Sequence, residues 1–392
     1  MQEILAAWQE FKTAGGYLEH EDYVSMAVTE ELPPPAAILV VDEYQDTSPA
    51  QDALIRSWST NAETVYIAGD PDQSIYGFRG CDPALLQDFP NVIDRGARNG
   101  ERPISHRCPA SVMAAAETIL GRPSNAAPAP RIGSSTHAII TKTADLVWWV
   151  ETALRYAQER DRDRIFVLTR FRRHVRALAN DLAAAGIPCA SINPKRIRLW
   201  SDVKTRDQST VNAWQLTQAV RRVSTGKFYD PIPISEASAL IAAIMPANAR
   251  TAILADLKKA ASLKIGDVLR WTGENPFRYR TFPQLDRRVT ERIYAALDRE
   301  KVRGHIIVPD QVQIDTIHAA KGLEASVVLL HSAYLRGRMD DLQDARRLAE
   351  ERRVYFVGAT RAEHALVTFD YGSAVKNPLI AGGAAFWQGA TA

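Results

Sequence analysis

The sequence predicts an α/β protein built on parallel sheets, with a mainly helical block set into its second half. Three observations carry that prediction. Short apolar runs alternate with helix-length amphipathic segments, the pattern of strand–helix–strand units. Two of the early runs, Ile38–Val41 and Thr64–Ala68, end abruptly in polar turns. Residues 198–305 then break the alternation with helical segments and scattered basic pairs such as Arg221-Arg222 and Arg287-Arg288.

Taken in order, residues 1–32 place Leu5, Trp8, Phe11, Tyr23, Met26 and Ala27 at near-helical spacing, and Pro33-Pro34-Pro35 stops that helix. Ile38–Val41 is expected to be a buried strand delivering Asp42-Glu43, and Thr64–Ala68 a second strand running into Gly69-Asp70-Pro71-Asp72. Gly121 to Ser135, rich in Pro, Ser and Ala, reads as a loop. Beyond it come strand HAIIT, a helix over Leu146–Gln158, strand RIFVLTR, and a helix over His174–Ala185 closed by Gly186-Ile187-Pro188. After the helical block, VQIDTIH and SVVLLHSAY read as strands, followed by the helix ending in ERRVYFVGATRA, although Arg361 is also read as following an apolar strand.

The 392 residues are enough for two or three domains. Hydrophobic residues make up 46% and charged residues 24%, as in ordinary globular proteins. A net charge of +2 gives no global signal for nucleic acid, so any such site must be local. Cys81, Cys108 and Cys189 have no metal-ligand spacing and suggest reduced thiols. No leader and no membrane-length apolar run is legible, so the expectation is a cytoplasmic protein with no membrane partner.

Four stretches carry chemistry. In ILVVDEYQDTSPAQ the pair Asp42-Glu43 stands at a strand's C-terminal end, where open α/β sheets bind ligands. Asp42 is placed to hold Mg²⁺ and Glu43 to orient or deprotonate a water; the plain alternative is a solvated acidic turn. In AGDPDQSIYGFRG, Gln73 sits beside a tight turn, and Tyr76 and Phe78 flank a glycine next to Arg79. That pattern suits stacking on single-stranded bases, although such aromatics are often core residues. In QIDTIHAAKGLEASVVLL, Lys321-Gly322 offers charge and backbone amides to phosphate, and Glu324 an acceptor for ribose hydroxyls. In EERRVYFVGATRAEHALV, Arg361 is placed to neutralise charge on a transferring phosphoryl group, its plain alternative being a surface salt bridge.

DEYQDTSPAQ, AGDPDQSIYGFRG, DTIHAAKGLE and RRVYFVGATRA resemble motifs II, III, V and VI of superfamily 1 helicases of the UvrD/Rep type, in that family's order. The resemblance covers most of the chain except roughly residues 198–305. It implies two RecA-like parallel-sheet domains, the first incomplete. These are residues 1–104, then 105–197 with 306–392, with the helical insertion at 198–305.

The resemblance also implies roles. Asp42 matches the Mg²⁺ aspartate, Glu43 the water-activating glutamate and Gln73 the γ-phosphate sensor. Tyr76 and Phe78 match base-stacking aromatics beside Arg79; Thr316, His318 and Lys321 match the second DNA-binding stretch. Glu324 and Gly322 match the ribose-contact region, and Arg361 the second γ-phosphate arginine. ISHRCPASV aligns with a segment that usually reads Asn-Tyr-Arg-Ser, making Arg107 the first γ-phosphate arginine and putting His106 where a tyrosine stacks on adenine. The implied cofactors are ATP and Mg²⁺, and the implied partner is single-stranded DNA or a single/double-strand junction.

The family's phosphate cradle, a loop reading G-x-x-x-x-G-K-[ST], does not occur in these residues: Gly226-Lys227 precedes Phe228, and Lys321-Gly322 is reversed. Met1–Glu31 resembles the helical segment just before motif II, with Glu21-Asp22-Tyr23 where relatives carry Asp-Phe. Three readings follow. One is the rear portion of an ATP-dependent 3′–5′ DNA helicase or translocase whose loop is supplied by a separate chain or lost. The second is a non-hydrolysing single-stranded DNA-binding remnant or subunit of a split helicase. The third is an interaction module whose helical insertion docks a partner.

Overall fold

The computed structural model describes residues 2–92, 100, 105–123, 138–141, 145–159, 164–193, 199–257, 262–370 and 378–381. The expected loop Gly121–Ser135 lies outside them from residue 124 onward. Two compact units emerge: Met1–Pro103 with Asp341–Val357, and Ile104–Asp340 with Gly358–Ala392.

The first unit begins with two helices, α1 (Gln2–Gly15) and α2 (His20–Thr29), rather than the single helix expected. Gly15-Gly16 ends α1, with Gly16 at φ +64°, a conformation that favours glycine. Glu19 restarts the chain, its amide donating to Asp22 Oδ2 at 2.7 Å at the start of α2. Lys12 ties the two helices together by ion pairs of 2.8 Å to both Glu19 and Asp22.

Strands β1 (Ile38–Val41) and β2 (Thr64–Ile67) pair in parallel, Ile38 with Thr64 and Val41 with Ile67. Helix α3 (Pro49–Asn61) connects them, opened by Ser48 and Gln51 as a reciprocal cap with proline in its first turn. Helix α4 (Ala84–Val92) follows. The expectation of a buried first strand is corrected. Ile38, Val40 and Tyr66 are 58%, 68% and 61% exposed, and the register puts all three on one face of the pair.

The second unit holds α5 (Ala110–Ile119), β3 (Ala138–Thr141), α6 (Leu146–Gln158), β4 (Ile165–Thr169) and α7 (Arg172–Ala184). A helical block follows: a short antiparallel hairpin, β5 (Asp202–Lys204) and β6 (Thr210–Asn212), then α8 (Ala213–Thr225), α9 (Ile234–Ile244), α10 (Ala247–Leu257), α11 (Ile265–Thr272), α12 (Asn275–Arg278) and α13 (Arg287–Arg303). The chain returns through β7 (Val312–Thr316), α14 (Ile317–Ala320) and β8 (Ala325–His331), then α15 (Ala345–Ala359), which belongs to the first unit as far as Val357, and ends with β9 (Ala362–Phe369) and α16 (Pro378–Ala381) of the second.

Five strands form one parallel sheet in the order β3-β9-β8-β4-β7. Strands β4 and β8 are buried throughout, as the continuous runs IFVLT and SVVLLH require of strands covered on both faces. Val150, Leu154, Leu178 and Leu182 from α6 and α7 pack with Ile165, Val167, Ile314 and Leu329 of the sheet. The helical block has its own core, including Leu216, Val220, Leu240, Ile241, Val268 and Ile293. The sequence is therefore α/β with parallel sheets, as expected, and a largely helical block with its own hydrophobic centre.

Candidate functional site

In the first unit, strand β1 delivers Asp42 and Glu43, both exposed. Asp42 Oδ1 accepts the Glu43 amide at 2.8 Å. Glu43 is held at φ +55°, ψ 37°, a left-handed conformation costing a residue with a Cβ about 1–2 kcal/mol. Such strain persists only where the surroundings over-determine it. The next two residues do so by being buried. Tyr44 is 0% and Gln45 1% exposed. The Tyr44 hydroxyl donates to Asp52 Oδ1, and Asp52 in turn holds Arg56 at 2.7 Å. Burial, then the neighbouring Asp52, pushes the Tyr44 hydroxyl well above its ordinary pKa, so it stays a donor.

Gln45 links the two strand ends. Its Nε2 donates to Glu43 Oε2 at 2.6 Å, and its Oε1 accepts the Asp70 amide at 2.9 Å. Its main-chain carbonyl accepts from Ser74 Oγ at 3.0 Å. The approach is possible because residue 69 is glycine: a Cβ there would lie 2.4 Å from Gln45 Oε1. Asp70 Oδ2 accepts from Gln73 Nε2 at 2.8 Å. Glu43, Gln45, Asp70 and Gln73 thus form one hydrogen-bonded chain between the tips of β1 and β2. Sequence reasoning singled out its two ends and missed Gln45 and Asp70. The signal available was the Asp-Glu-x-Gln spacing after a strand.

Past Gln73, Ile75 is fully buried and anchors the turn that presents Tyr76 and Phe78. Phe78 is 69% exposed, and the two rings meet edge to face at 6.0 Å. The Arg79 guanidinium lies 4.8 Å from the Tyr76 ring centre and 5.6 Å from that of Phe78. Burial, followed by Asp46, raises the Tyr76 hydroxyl pKa. Arg353 of α15 donates from Nε to the Ser74 carbonyl at 2.9 Å, and Glu350 lies against Gly77. Neither residue was anticipated from sequence.

The second unit gathers Arg107, Glu324 and Arg361. Arg107 Nε donates to Glu324 Oε2 at 3.0 Å, both side chains being partly exposed. Arg361 is 1% exposed, with Nη1 reaching the Leu323 carbonyl at 3.4 Å and Nη2 reaching Thr360 Oγ1 at 3.2 Å. Its own carbonyl accepts the Ala325 amide at 3.0 Å. Cys108 closes the group, its Sγ donating to the Thr360 carbonyl at 3.2 Å; burial raises this thiol's pKa to about 11, so it stays protonated. One expectation is corrected here. Arg361 follows a helix, α15, and precedes strand β9. His106 is exposed beside Arg107.

Thr316 ends β7, His318 lies on the single turn α14, and Lys321 and Gly322 follow it, Gly322 at φ +80°. This turn is fixed from behind by Asp315, which is fully buried. Its carboxylate accepts from Ser191 Oγ at 2.7 Å, the Asn193 amide at 3.1 Å and the Thr316 amide at 2.7 Å.

Each unit taken by itself carries part of what a nucleotide and a divalent cation would need. Among the described residues no group of three His, Cys, Asp or Glu side chains could hold a metal. A cation at Asp42 would take most of its ligands from water and phosphate oxygens, which is the habit of Mg²⁺. Arg107 and Arg361 carry positive charge of the kind with which a phosphate would pair.

The UvrD/REP helicase N-terminal domain family matches residues 16–94, and the UvrD-like helicase C-terminal domain family matches residues 287–370. Among curated proteins, the chain is similar to ATP-dependent DNA helicase UvrD2 of Mycobacterium tuberculosis, 40% identical over 63 residues, which is 16% of this chain and 9% of that protein. DNA helicase II of Escherichia coli is 37% identical over 82 residues, 21% of this chain and 11% of its own length. ATP-dependent DNA helicase Rep of Buchnera aphidicola is 45% identical over 58 residues, 14% of this chain and 9% of its own. The matched stretches therefore span about a tenth of each relative.

Proposed function

We propose, for a chain of the UvrD/Rep helicase type, that residues 1–392 form the rear portion of an ATP-dependent motor moving 3′ to 5′ on single-stranded DNA. The division proposed is two RecA-like halves, 1–104 and 105–197 with 306–392, and a helical insertion at 198–305. In this reading Asp42 binds the Mg²⁺ of MgATP, and Glu43 holds the attacking water. Arg107 and Arg361 meet the phosphates, Gly322 and Glu324 the ribose region, and His106 the base. Tyr76, Phe78, Arg79, Thr316, His318 and Lys321 hold the DNA strand.

One observation carries the proposal: the hydrogen-bonded chain Glu43–Gln45–Asp70–Gln73. It joins a carboxylate suited to activating water to the turn that leads directly into exposed aromatics. A plain acidic turn has no need of a buried glutamine bridging two strand ends, because a buried polar side chain is costly unless satisfied. The phosphate cradle lies outside these residues, supplied by a further segment or chain bearing a Gly-Lys-Ser/Thr loop. Without it the metal has no loop hydroxyl and the arginines have no held phosphoryl group to stabilise.

The test is phosphate release. Purified residues 1–392 are expected to turn over ATP negligibly, with or without single-stranded DNA. Addition of a polypeptide bearing the loop is expected to restore turnover, and Glu43→Gln to abolish it. Robust DNA-stimulated hydrolysis by residues 1–392 alone, lost in Glu43→Gln, would overturn this division of labour.

A further inference from the structure

The helical block carries an aromatic and basic surface that none of the roles above employs. The segment 226–233 joins α8 to α9 and is clamped onto the start of α11. The Ile265 amide donates to the Asp230 carbonyl at 3.0 Å, and the Gly266 amide to the Phe228 carbonyl at 2.8 Å. The Ile232 amide donates to the Leu263 carbonyl at 2.9 Å, and Asp230 Oδ2 accepts the Lys227 amide at 2.7 Å. Phe228 rests on Gly266, where a Cβ would lie 2.3 Å from the ring. The segment is therefore a rigid mount.

What it mounts is exposed. Tyr229 is 76% and Phe228 43% accessible, with ring centres 5.3 Å apart and planes at 78°. Lys264 Nζ lies 5.8 Å from the Tyr229 ring, and the Arg270 guanidinium 5.6 Å from the Phe228 ring. Exposed Lys227 adds a third cation. The acidic neighbours are engaged internally, Asp230 by the Lys227 amide and Asp267 by the Lys264 amide and Arg270 Nη1. A tyrosine this exposed contributes little to the core, so folding stability does not explain its place on a rigid mount.

We propose that Tyr229, with Lys227, Lys264 and Arg270, forms a second contact for single-stranded nucleic acid, in which a base stacks on Tyr229 and the three cations meet the phosphates. The chemistry is that of sequence-tolerant strand binding, in which aromatic faces alternate with basic side chains along a backbone. Cations over exposed rings are held weakly, so Lys264 is readily exchanged for a base and released to a phosphate. The proposal rests on the reading of this chain as a DNA-binding protein, but it uses none of Tyr76, Phe78 or Lys321.

The experiment is fluorescence anisotropy with an oligo-dT of about 30 nucleotides on residues 1–392, with photocrosslinking to 5-iodouracil. Tyr229→Ala is expected to weaken binding about five- to hundredfold, to leave the melting temperature unchanged, and to be rescued by Tyr229→Phe. Lys264→Ala is expected to reduce the slope of log affinity against log salt by about one. Crosslinking to the peptide bearing Tyr229 should persist when Tyr76 and Phe78 are both alanine. If Tyr229→Ala binds like the parent while the Tyr76/Phe78 double variant is weakened, this proposal falls and the first site stands. Loss in Tyr229→Ala with none in the double variant supports the Tyr229 contact and overturns the first site. Equal loss of blunt-duplex binding in Tyr229→Ala would overturn the single-strand assignment.

Discussion

Arg107 Nε donates to Glu324 Oε2 at 3.0 Å, joining residues 217 positions apart in the chain. Both are groups proposed for the nucleotide, and the bond engages only Arg107 Nε and Glu324 Oε2, so a ligand competes with a single hydrogen bond. The two side chains are 35% and 48% exposed, which puts the pair in the range of partly solvated ion pairs, about 0.2–1 kcal/mol. A double-mutant cycle with Arg107→Ala and Glu324→Ala, followed by urea unfolding, is expected to give a coupling of that size that shrinks with salt. A coupling several times larger would mean the pair is a structural tie too strong for a ligand to replace.

Gln45 and Gly69 should behave as one unit. Gln45→Ala leaves the Asp70 amide without its buried acceptor and Glu43 Oε2 without its donor, a loss of about 1–3 kcal/mol. Gly69→Ala drives a Cβ to 2.4 Å from Gln45 Oε1, and overpacking of that kind costs about 1–3 kcal/mol. Because the first change removes the atom that the second collides with, the double variant is expected to be more stable than the sum predicts. Full additivity would show that the two positions do not meet.

Asp315 is expected to be intolerant. Asp315→Ala strands the buried Ser191 hydroxyl and the Thr316 amide, and should cost about 3 kcal/mol in equilibrium unfolding. Asp315→Asn keeps the shape but carries no charge for these donors, and should fall between parent and Ala. Loss in both variants smaller than about 0.5 kcal/mol would mean the turn bearing His318 and Lys321 is held by other contacts.

His174 gives the second unit an acid limit. Burial, and then Arg173, lower its pKa from the ordinary value near 6.5. Its ring stands edge-on to Phe171 and His331, Nε2 faces Arg173 Nε at 3.3 Å, and Nδ1 is buried without a partner among the described residues. A depressed pKa means that the unfolded chain binds the proton first. This contribution to stability is complete above about pH 6.5 and is lost as pH falls from there through the folded value. Melting temperatures should drop between about pH 7 and pH 5, and His174→Phe should flatten that drop relative to the parent. An unchanged profile in His174→Phe would assign the acid sensitivity elsewhere.

Strands β4 and β8 were legible because each is a nearly continuous apolar run, whereas β9 was missed, its start interrupted by Glu363 and His364. Leu146–Gln158 was legible to its ends; the structure adds Asp145 as its N-cap, the side chain accepting the Trp148 amide. VYFV misled because a short run of β-branched and aromatic residues reads as strand; in α15 it is the buried last turns of a helix begun by ARRLAEERR. The hairpin of β5 and β6 was invisible because its turn, Thr205 to Ser209, carries no glycine, and Gln208 adopts φ +64° without the usual residue for it. Among the site residues, Asp42, Glu43 and Arg361 stood out by type and position. Gln45 did not, because its importance arises from the close approach of Gly69, which only the paired strands create.

The open face of β1 and β2 sets the colloidal behaviour of these residues. Ile38, Val40 and Tyr66 lie side by side on a two-stranded sheet whose outer edges have no strand partner among the described residues. Unpaired amides and carbonyls beside exposed β-formers are the template for adventitious strand pairing. Concentration, rather than heat, should therefore be the first stress under which purified residues 1–392 self-associate, and a lysine at position 40 is the change that should postpone it.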